Sequence, residues 1–222
     1  MIREALDRLV GFLCRLVLGV FFRRIEVVGR DRLPVSGPRI VVGNHVNGLI
    51  DPLFVFGPLR VRARALGKST LWRIPVLRQL LGLAGAIPIH RRSDAGEGAD
   101  PAKNVEAFAL CHEALARGEA ISIFPEGISH DQPSLQPLRT GAARIALGAE
   151  LERGPLGVVI APFGLVFEER TTFRSRALVV VGEPIDPAPE VELARADLAG
   201  AVRALTARIS AALEQVTLNY AT

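Results

Sequence analysis

Short apolar runs that stop at Gly, Asn, Pro or a charged residue recur along the middle of the chain, a pattern typical of buried strands followed by turns. Four of these runs occupy residues 40–43, 87–89, 121–124 and 157–161. Between and after them, apolar residues return at helical spacing. Strands that alternate with helices predict an α/β fold, which we expect to have three αβα layers around a mixed, mostly parallel central sheet.

Two segments show the helical pattern most clearly. A predicted helix begins at Asp100-Pro101 and ends at Gly118, and its apolar face holds Val105, Phe108, Cys111 and Leu115. The last predicted helix carries Leu198, Val202, Leu205, Ile209 and Leu213. The other segments with a clear pattern are a strand at 25–28, an alternating strand at 60–66, a helix at 72–83 broken near Pro75, a helix of small residues from 139, and strands at 163–167 and 177–181.

The first 24 residues form a unit of their own in the pattern. The segment from Leu9 to Phe22 is apolar except for Arg15, and arginines flank it on both sides. Its length corresponds to roughly 21 Å of helix, which is shorter than the ~30 Å hydrocarbon core of a bilayer. No cleavage site of small residues follows it, so a signal peptide is not expected. We expect residues 1–24 to be a helix in the membrane interface and residues 25–222 to be one globular domain; a helix docked on the core is the alternative.

The composition fits a globular domain rich in apolar residues, with 49% hydrophobic and 5% aromatic residues among 222. Cys14 and Cys111 lie in apolar helical contexts without paired spacing, which predicts buried thiols in a reducing compartment. No Cys/His cluster has the spacing of metal ligands, and we expect neither a metal nor a cofactor.

The positive charge is concentrated in one part of the chain. The net charge is +4, and no acidic residue occurs from Pro52 to Ser93. The same span holds Arg60, Arg62, Arg64, Lys68, Arg73, Arg78, Arg91 and Arg92. Basic residues interleaved with Leu and Trp fit an anionic membrane surface or a phosphorylated ligand. Nucleic acid is not expected as a partner, because no binding motif is present and stacking aromatics are few; a solvated arginine face is the other alternative.

Candidate chemistry begins where the run 40–43 ends. His45 comes two residues later, so its imidazole should lie at the carboxyl edge of a strand. Asp51-Pro52 looks like a helix start, with Asp51 as N-cap and Pro52 at the first helical position. A carboxylate bonded to one imidazole nitrogen would fix the tautomer and leave the other nitrogen to accept a proton. A structural histidine beside an N-cap aspartate is the alternative.

Three further motifs follow this stretch in order. The four read Asn44-His45…Asp51, Gly85-x-Ile87-Pro88-x-x-Arg91, Phe124-Pro125-Glu126-Gly127-x-Ser129 and Val159-Ile160-x-Pro162. In this order, over residues 40 to 165, they resemble the four blocks of the glycerolipid acyltransferase superfamily, which includes the 1-acylglycerol-3-phosphate and glycerol-3-phosphate acyltransferases. Any one of these motifs alone would be a weak signal.

Two departures from the usual blocks narrow the resemblance. Five residues separate His45 from Asp51 where four are usual, and Ser129 stands where the third block usually has Arg. The combination is similar to the branch that contains fungal-type glycerol-3-phosphate/dihydroxyacetone-phosphate acyltransferases and their bacterial relatives. These departures leave the identity of the acceptor more open than the chemistry.

The resemblance implies a transfer of a fatty acyl group from acyl-CoA or acyl-carrier protein to a hydroxyl of a glycerol phosphate. The expected acceptor is 1-acyl-sn-glycerol-3-phosphate, with glycerol 3-phosphate or another lysophospholipid as alternatives. His45 would be the general base and Asp51 would orient it. The residues expected to bind substrate are Lys68, Arg91, Glu126, Gly127, Ser129 and Arg139. Within this set Arg91 would hold phosphate, and Lys68 and Arg139 extend that role. A place on the cytoplasmic face of a membrane, as a peripheral or monotopic protein, follows from the same resemblance.

Three other functions are weaker. Gly67-Lys68-Ser69-Thr70 matches half of a nucleotide-binding loop, but Arg62 stands where the full pattern needs Gly. Ser129-His130-Asp131 suggests a hydrolase, but three consecutive residues do not readily converge as a triad. His130 is better interpreted as a group behind the site. A membrane-surface binding protein that lost activity stays open, and it requires Asp51 to lie out of reach of His45.

Overall fold

A central sheet organises the structure, a computed structural model that describes residues 2–90, 101–130, 132, 134–169 and 172–218. Within these residues seven strands pair into one sheet. The strands are β1 (Phe22–Val28), β2 (Arg39–Gly43), β3 (Ala63–Lys68), β4 (Ile87–Ile89), β5 (Ala120–Ile123), β6 (Val159–Phe167) and β7 (Ser175–Val181).

The sheet is mixed and mostly parallel, as predicted. Its strand order is β1-β7-β6-β2-β5-β3-β4. β2 is parallel to both β5 and β6, and β3 is parallel to both β5 and β4. β7 runs antiparallel to β6, and β1 runs parallel to β7. The carboxyl ends of β2, β3 and β5 therefore meet at one edge, where the loops that follow them can form a common site.

Helices cover both faces of the sheet. They are α1 (Ile2–Phe21), α2 (Asp51–Phe56), α3 (Pro75–Leu83), α4 (Pro101–Ala116), α5 (Gly141–Arg153), α6 (Ala188–Ala194) and α7 (Leu198–Val216), with short 3-10 helices at Arg30–Arg32 and Ser69–Arg73. α4, α5, α6 and α7 bury their apolar residues against one face. Residues of α1 and α2 pack on the other. The predicted three-layer αβα architecture is thus confirmed.

Several predicted boundaries differ from the structure, and the strand expected at 25–28 already begins at Phe22, so α1 ends before residue 24. The separate strands expected at 157–161 and 163–167 form the single strand β6. The strand expected at 60–66 begins only at Ala63, because the backbone of Arg60 turns with φ 54° and Val61 N–H donates to the carbonyl of Val55. Asp51 is the first residue of α2, and Ile50 occupies the N-cap position. The N-cap prediction is wrong because the Asp51 carboxylate instead accepts hydrogen bonds from the loop that precedes the helix.

One face of α1 packs on the protein and the opposite face points outward. Gly11, Cys14 and Leu18 are buried. The exposed apolar face consists of Leu9, Phe12, Leu13, Leu16, Val17, Val20 and Phe21. Among the described residues, no helix combines the length and the apolar character needed to cross a bilayer.

Candidate active site

The loop after β2 is fixed at its first two residues. The ring of Phe163 packs so closely on Gly43 that a Cβ there would lie 2.3 Å from the ring. The Asn44 side chain then pairs with both backbone groups of Leu165: its amide donates to the carbonyl at 3.0 Å, and its oxygen accepts from the N–H at 2.7 Å. Asn44 thereby continues the β2–β6 ladder by one step, and His45 emerges at the carboxyl edge of the sheet.

His45 and Asp51 form the pair that the sequence predicted. Nδ1 of His45 lies 3.0 Å from Oδ2 of Asp51, and the Asn47 N–H donates to the same oxygen at 2.6 Å. The His45 ring also stacks on Phe124, with ring centroids 4.5 Å apart and an interplanar angle of 17°. The five-residue spacing therefore leaves Asp51 within reach, because the chain turns back where Asp51 N–H donates to the carbonyl of Asn47. The alternative of an inactive membrane-surface protein required Asp51 to lie out of reach of His45. The observed contact removes the reason for that alternative.

Burial governs the electrostatics of this pair. Asp51 is completely buried and His45 is 8% exposed. Burial raises the pKa of Asp51, although the hydrogen bonds from His45 and Asn47 act in the other direction. With Nδ1 donating to the carboxylate, Nε2 of His45 is left with a lone pair that can take a proton.

Glu126 ties the loop after β5 to the backbone of His45. Oε1 of Glu126 accepts from the His45 N–H at 2.7 Å, and Oε2 accepts from the Gln136 N–H at 3.0 Å and from Nε2 of His130. The His130 N–H in turn donates to the His45 carbonyl at 3.2 Å. Both backbone groups of His45 are thus held, which fixes the height of its ring above the sheet edge.

The same loop brings three of the predicted substrate-binding residues together. Gly127 has φ 74°, a left-handed backbone that favours glycine, and the Arg139 side chain packs against it. The Arg139 N–H donates to the carbonyl of Pro125 at 2.7 Å, and Arg139 is exposed. Ser129 is also exposed and lies beside Gly48, where an added Cβ would be 3.2 Å from its hydroxyl.

A mostly apolar groove of about 690 Å³ leads away from His45. Five of the predicted site residues line it: His45, Lys68, Gly127, Ser129 and Arg139. Its apolar wall is built from α1, α2, α3, β3 and α4, with Cys14, Leu53, Leu66, Leu81 and Phe108 among its residues. Asp51 and Glu126 lie behind His45 and are not among the lining residues. The predicted phosphate ligand Arg91 lies outside the described residues.

Two contributors to the site were not predicted as site residues from the sequence, although Phe124 opens the third motif. Phe124 belongs to a strand run, and only the fold shows that its ring supports His45. Asn104 lines the groove, and its amide pairs with both backbone groups of His90 at 3.1 and 2.8 Å. Asn104 of α4 therefore holds the backbone of His90.

Known proteins resemble this chain in sequence. A family model described as Acyltransferase matches residues 24–166. Glycerol-3-phosphate O-acyltransferase 2 of Saccharomyces cerevisiae is 42% identical over 87 residues, which cover 39% of this chain and 12% of the yeast protein. The 1-acyl-sn-glycerol-3-phosphate acyltransferase of Borreliella burgdorferi is 28% identical over 124 residues, 56% of this chain and 46% of that protein. The chain therefore matches only about a tenth of the length of the yeast relative and about half of the bacterial one.

A solved structure shares the fold. The crystal structure of PlsC, the 1-acyl-sn-glycerophosphate (LPA) acyltransferase of Thermotoga maritima, superimposes with a TM-score of 0.69 at 18% identity. The superposition covers 99% of this chain and 83% of that chain. At this identity the likeness establishes the α/β architecture, including α1, and leaves the substrate to other arguments.

Proposed function

The chain belongs to the acyltransferase family, and from that premise we propose that it transfers a fatty acyl group from a thioester donor to a hydroxyl of a glycerol phosphate. The observation that carries this proposal is the buried His45–Asp51 pair, 3.0 Å apart, at the wall of an apolar groove. The groove suits the hydrocarbon chain, and the pair suits proton removal from the acceptor hydroxyl.

The reaction needs no covalent enzyme intermediate. Nε2 of His45 accepts the hydroxyl proton as the acceptor oxygen forms a bond to the thioester carbonyl carbon. The tetrahedral intermediate collapses, the carbon–sulfur bond breaks, and the proton passes from His45 to the departing sulfur. General-base assistance of this kind contributes about 10²–10⁴-fold to the rate. Asp51 holds the correct tautomer and stabilises the imidazolium while the proton is on the ring.

The acceptor phosphate is assigned to the basic side chains around the groove. Lys68 at the end of β3 and the exposed Arg139 line the groove beside His45. Arg91, by its place in the second motif, would complete this cluster. Ser129 offers a hydroxyl at the same rim. Glu126 uses both carboxylate oxygens on protein groups, so we assign it to positioning His45 and His130.

The acceptor we favour is 1-acyl-sn-glycerol-3-phosphate. Relatives named for this acceptor match the longer stretches, including 146 residues of the LPAT1 protein of Arabidopsis thaliana at 25% identity. Glycerol 3-phosphate is the second candidate, because the yeast relatives named for it reach 42% and 45% identity over shorter segments. The donor is acyl-CoA or acyl-carrier protein, and the enzyme would act in phospholipid biosynthesis.

The exposed apolar face of α1 supports a place on a membrane. Seven large apolar residues of this helix are 39–56% exposed, and Val10, Leu13, Cys14 and Val17 of the same helix line the groove. If α1 lies in the bilayer interface, lipid covers its exposed apolar face and acyl chains can enter the groove directly. We assign the protein to the cytoplasmic face as a peripheral or monotopic protein, with lipid as its partner.

The test is thiol release from palmitoyl-CoA by the purified protein, with glycerol 3-phosphate and 1-acyl-sn-glycerol-3-phosphate supplied separately. Release that depends on the 1-acyl acceptor supports the favoured reaction, and release that depends on glycerol 3-phosphate supports the second. Release without any acceptor would identify a thioesterase. A second reaction with acylated carrier protein distinguishes a donor requirement from inactivity.

A further inference from the structure

A cleft lined by arginines lies at the opposite edge of the sheet from His45. Its volume is about 340 Å³, and it lies where α1 passes the segment that leads into β3. Arg8 and Arg15 come from α1, and Arg60 and Arg62 precede the first residue of β3. His45, in contrast, follows the last residue of the parallel strand β2. The cleft is therefore distinct from the phosphate-binding rim assigned above.

The described side chains that line the cleft include four arginines and one carboxylate. Among the cleft-lining side chains that the structure describes, Asp7 is the one carboxylate, and it lies 3.9 Å from Nε of Arg62. Arg30 lies close by, with a guanidinium nitrogen 3.5 Å from the Leu59 carbonyl. Its pKa is lowered by burial first and then by the charges of Arg60 and Arg15. The positively charged guanidinium groups thus repel one another. An anion bound in the cleft would reduce this repulsion.

The backbone at Arg60 is held in an unfavourable conformation. Arg60 has φ 54°, in the left-handed region that favours glycine and is costly for a residue with a Cβ. Strained backbone of this kind concentrates at binding and catalytic sites. A glycine would fit the turn with less strain, so the backbone at residue 60 should tolerate a substitution to glycine.

The cleft is continuous with hydrocarbon-binding surface. Val10, Phe56 and Ala84 line both the arginine cleft and the apolar groove. Leu9 and Phe12, on the exposed face of α1, are 52% and 56% exposed. A ligand that matches both surfaces carries an anionic group and hydrocarbon chains together.

We propose that the arginine cleft, formed by Arg8, Arg15, Arg60 and Arg62, binds the phosphate headgroup of an anionic phospholipid. The acyl chains of this lipid lie along the exposed face of α1, within the bilayer leaflet. This site rests on the membrane attachment proposed above and is independent of acyl transfer. The site lies towards the amino-terminal end of α1, and it gives the protein a preference for anionic bilayers.

The test compares binding of the full chain to vesicles of phosphatidylcholine alone and with one quarter phosphatidylglycerol. The cleft variant is Arg15→Gln/Arg60→Gly, in which glycine suits the backbone of residue 60. The control, Arg195→Gln/Arg203→Gln, removes the same charge from two exposed arginines that lie after α6 and in α7, on the face of the sheet opposite α1. At about five-fold per arginine, the cleft variant should lose roughly 25-fold in affinity for the anionic vesicles. The control should lose at most about five-fold.

The outcomes separate this site from the other proposals. Equal losses in the two variants would mean that binding is diffuse and would overturn the cleft. No binding to either vesicle would overturn both the cleft and the interfacial helix, while thiol release measured in detergent micelles reports acyl transfer separately. Inorganic phosphate could instead raise the melting temperature of the wild-type chain but not that of the cleft variant. If the wild-type chain then showed no preference for anionic vesicles, free phosphate would be the ligand and the lipid proposal would be wrong.

Discussion

At the residue scale, the burial of Asp51 opposes the ionisation of its carboxyl group. Its pKa is raised above the ordinary 3.8 because burial outweighs the hydrogen bonds from His45 and Asn47. The folded protein therefore binds this proton more tightly than the unfolded chain does. The resulting stabilisation is fully present below pH 3.8 and is lost as the pH rises through the raised pKa. Ionisation of the Asp51 carboxyl therefore costs the folded protein stability.

Asp51→Asn should separate activity from stability. The amide would present a donor to Nδ1 of His45, so the ring would carry its proton on Nε2 and could not act as base. We expect a loss of roughly 10³–10⁴-fold in turnover. The melting temperature at pH 7 should stay equal or rise, and its difference from wild type should shrink as the pH is lowered. A variant that melts far below wild type while keeping turnover would contradict this account.

His130 should act through Glu126 and not through substrate. His130→Leu removes one of the two donors to Oε2 of Glu126, whose other oxygen holds the His45 N–H, and so loosens the carboxylate. We expect kcat to fall roughly 10- to 100-fold, the effect of a small misplacement of a catalytic group, with both KM values little changed. His130→Gln should recover much of the loss because its amide can donate from a similar position. Equal loss in both variants, or a change confined to KM, would contradict a positioning role.

The sequence predicted the contact between His45 and Asp51 better than the contacts that hold this pair in place. His45 and Asp51 are six residues apart, and a strand, a turn and a helix start together bring them into contact. The Glu126 carboxylate meets the His45 N–H across 81 positions, and the Phe124 ring meets the imidazole across a similar span. No local pattern reports such distances, because they depend on the pairing of β2 with β5. The double contact of Asn44 with Leu165 depends in the same way on the pairing of β2 with β6.

At the element scale, α1 has one face that packs on the protein and another that points outward, and neighbouring residues of one turn belong to different faces. Leu18 is completely buried, whereas Leu16 is 56% exposed. Leu18→Ala should cost about 2–5 kcal/mol of unfolding free energy, because it leaves a cavity against α2 and the sheet. Leu16→Ala should change stability by less than about 0.5 kcal/mol.

The same pair tests membrane attachment. Leu16→Ala should weaken binding to phosphatidylcholine vesicles, since it removes apolar area that the bilayer would cover, while leaving the denaturant midpoint unchanged. Chemical denaturation and vesicle sedimentation measure the two effects. If Leu16→Ala destabilised the fold as much as Leu18→Ala, the outward face would have to be buried against protein, and the interfacial helix would be wrong.

Most elements followed from periodicity, and the exceptions have physical causes. The break near Pro75 separates a 3-10 helix from α3, as predicted. β6 continues through Pro162, so the proline and glycine that indicated a boundary lie inside one strand. At Pro162 the carbonyl still accepts from Gly182 N–H, outside the paired register of β6 with β7. Tertiary pairing thus overrode the local signal.

At the scale of the whole molecule, the two edges of the sheet carry different groups. The carboxyl edge carries His45, Asp51 and the rim residues Lys68 and Arg139. The amino edge carries the arginine cleft, and α1 runs between the two edges with its apolar face outward. A single amphipathic helix could therefore place both edges at one bilayer, with substrate entry at one end and headgroup binding at the other.

The central claim is that His45 is the base of an acyl transfer. The most direct measurement is acceptor-dependent thiol release from palmitoyl-CoA by wild type and His45→Ala, with matching melting temperatures as the check on folding. The account predicts release that depends on 1-acyl-sn-glycerol-3-phosphate in wild type and a loss of at least about 10²-fold in the variant. Near-normal turnover by a folded His45→Ala protein would contradict it.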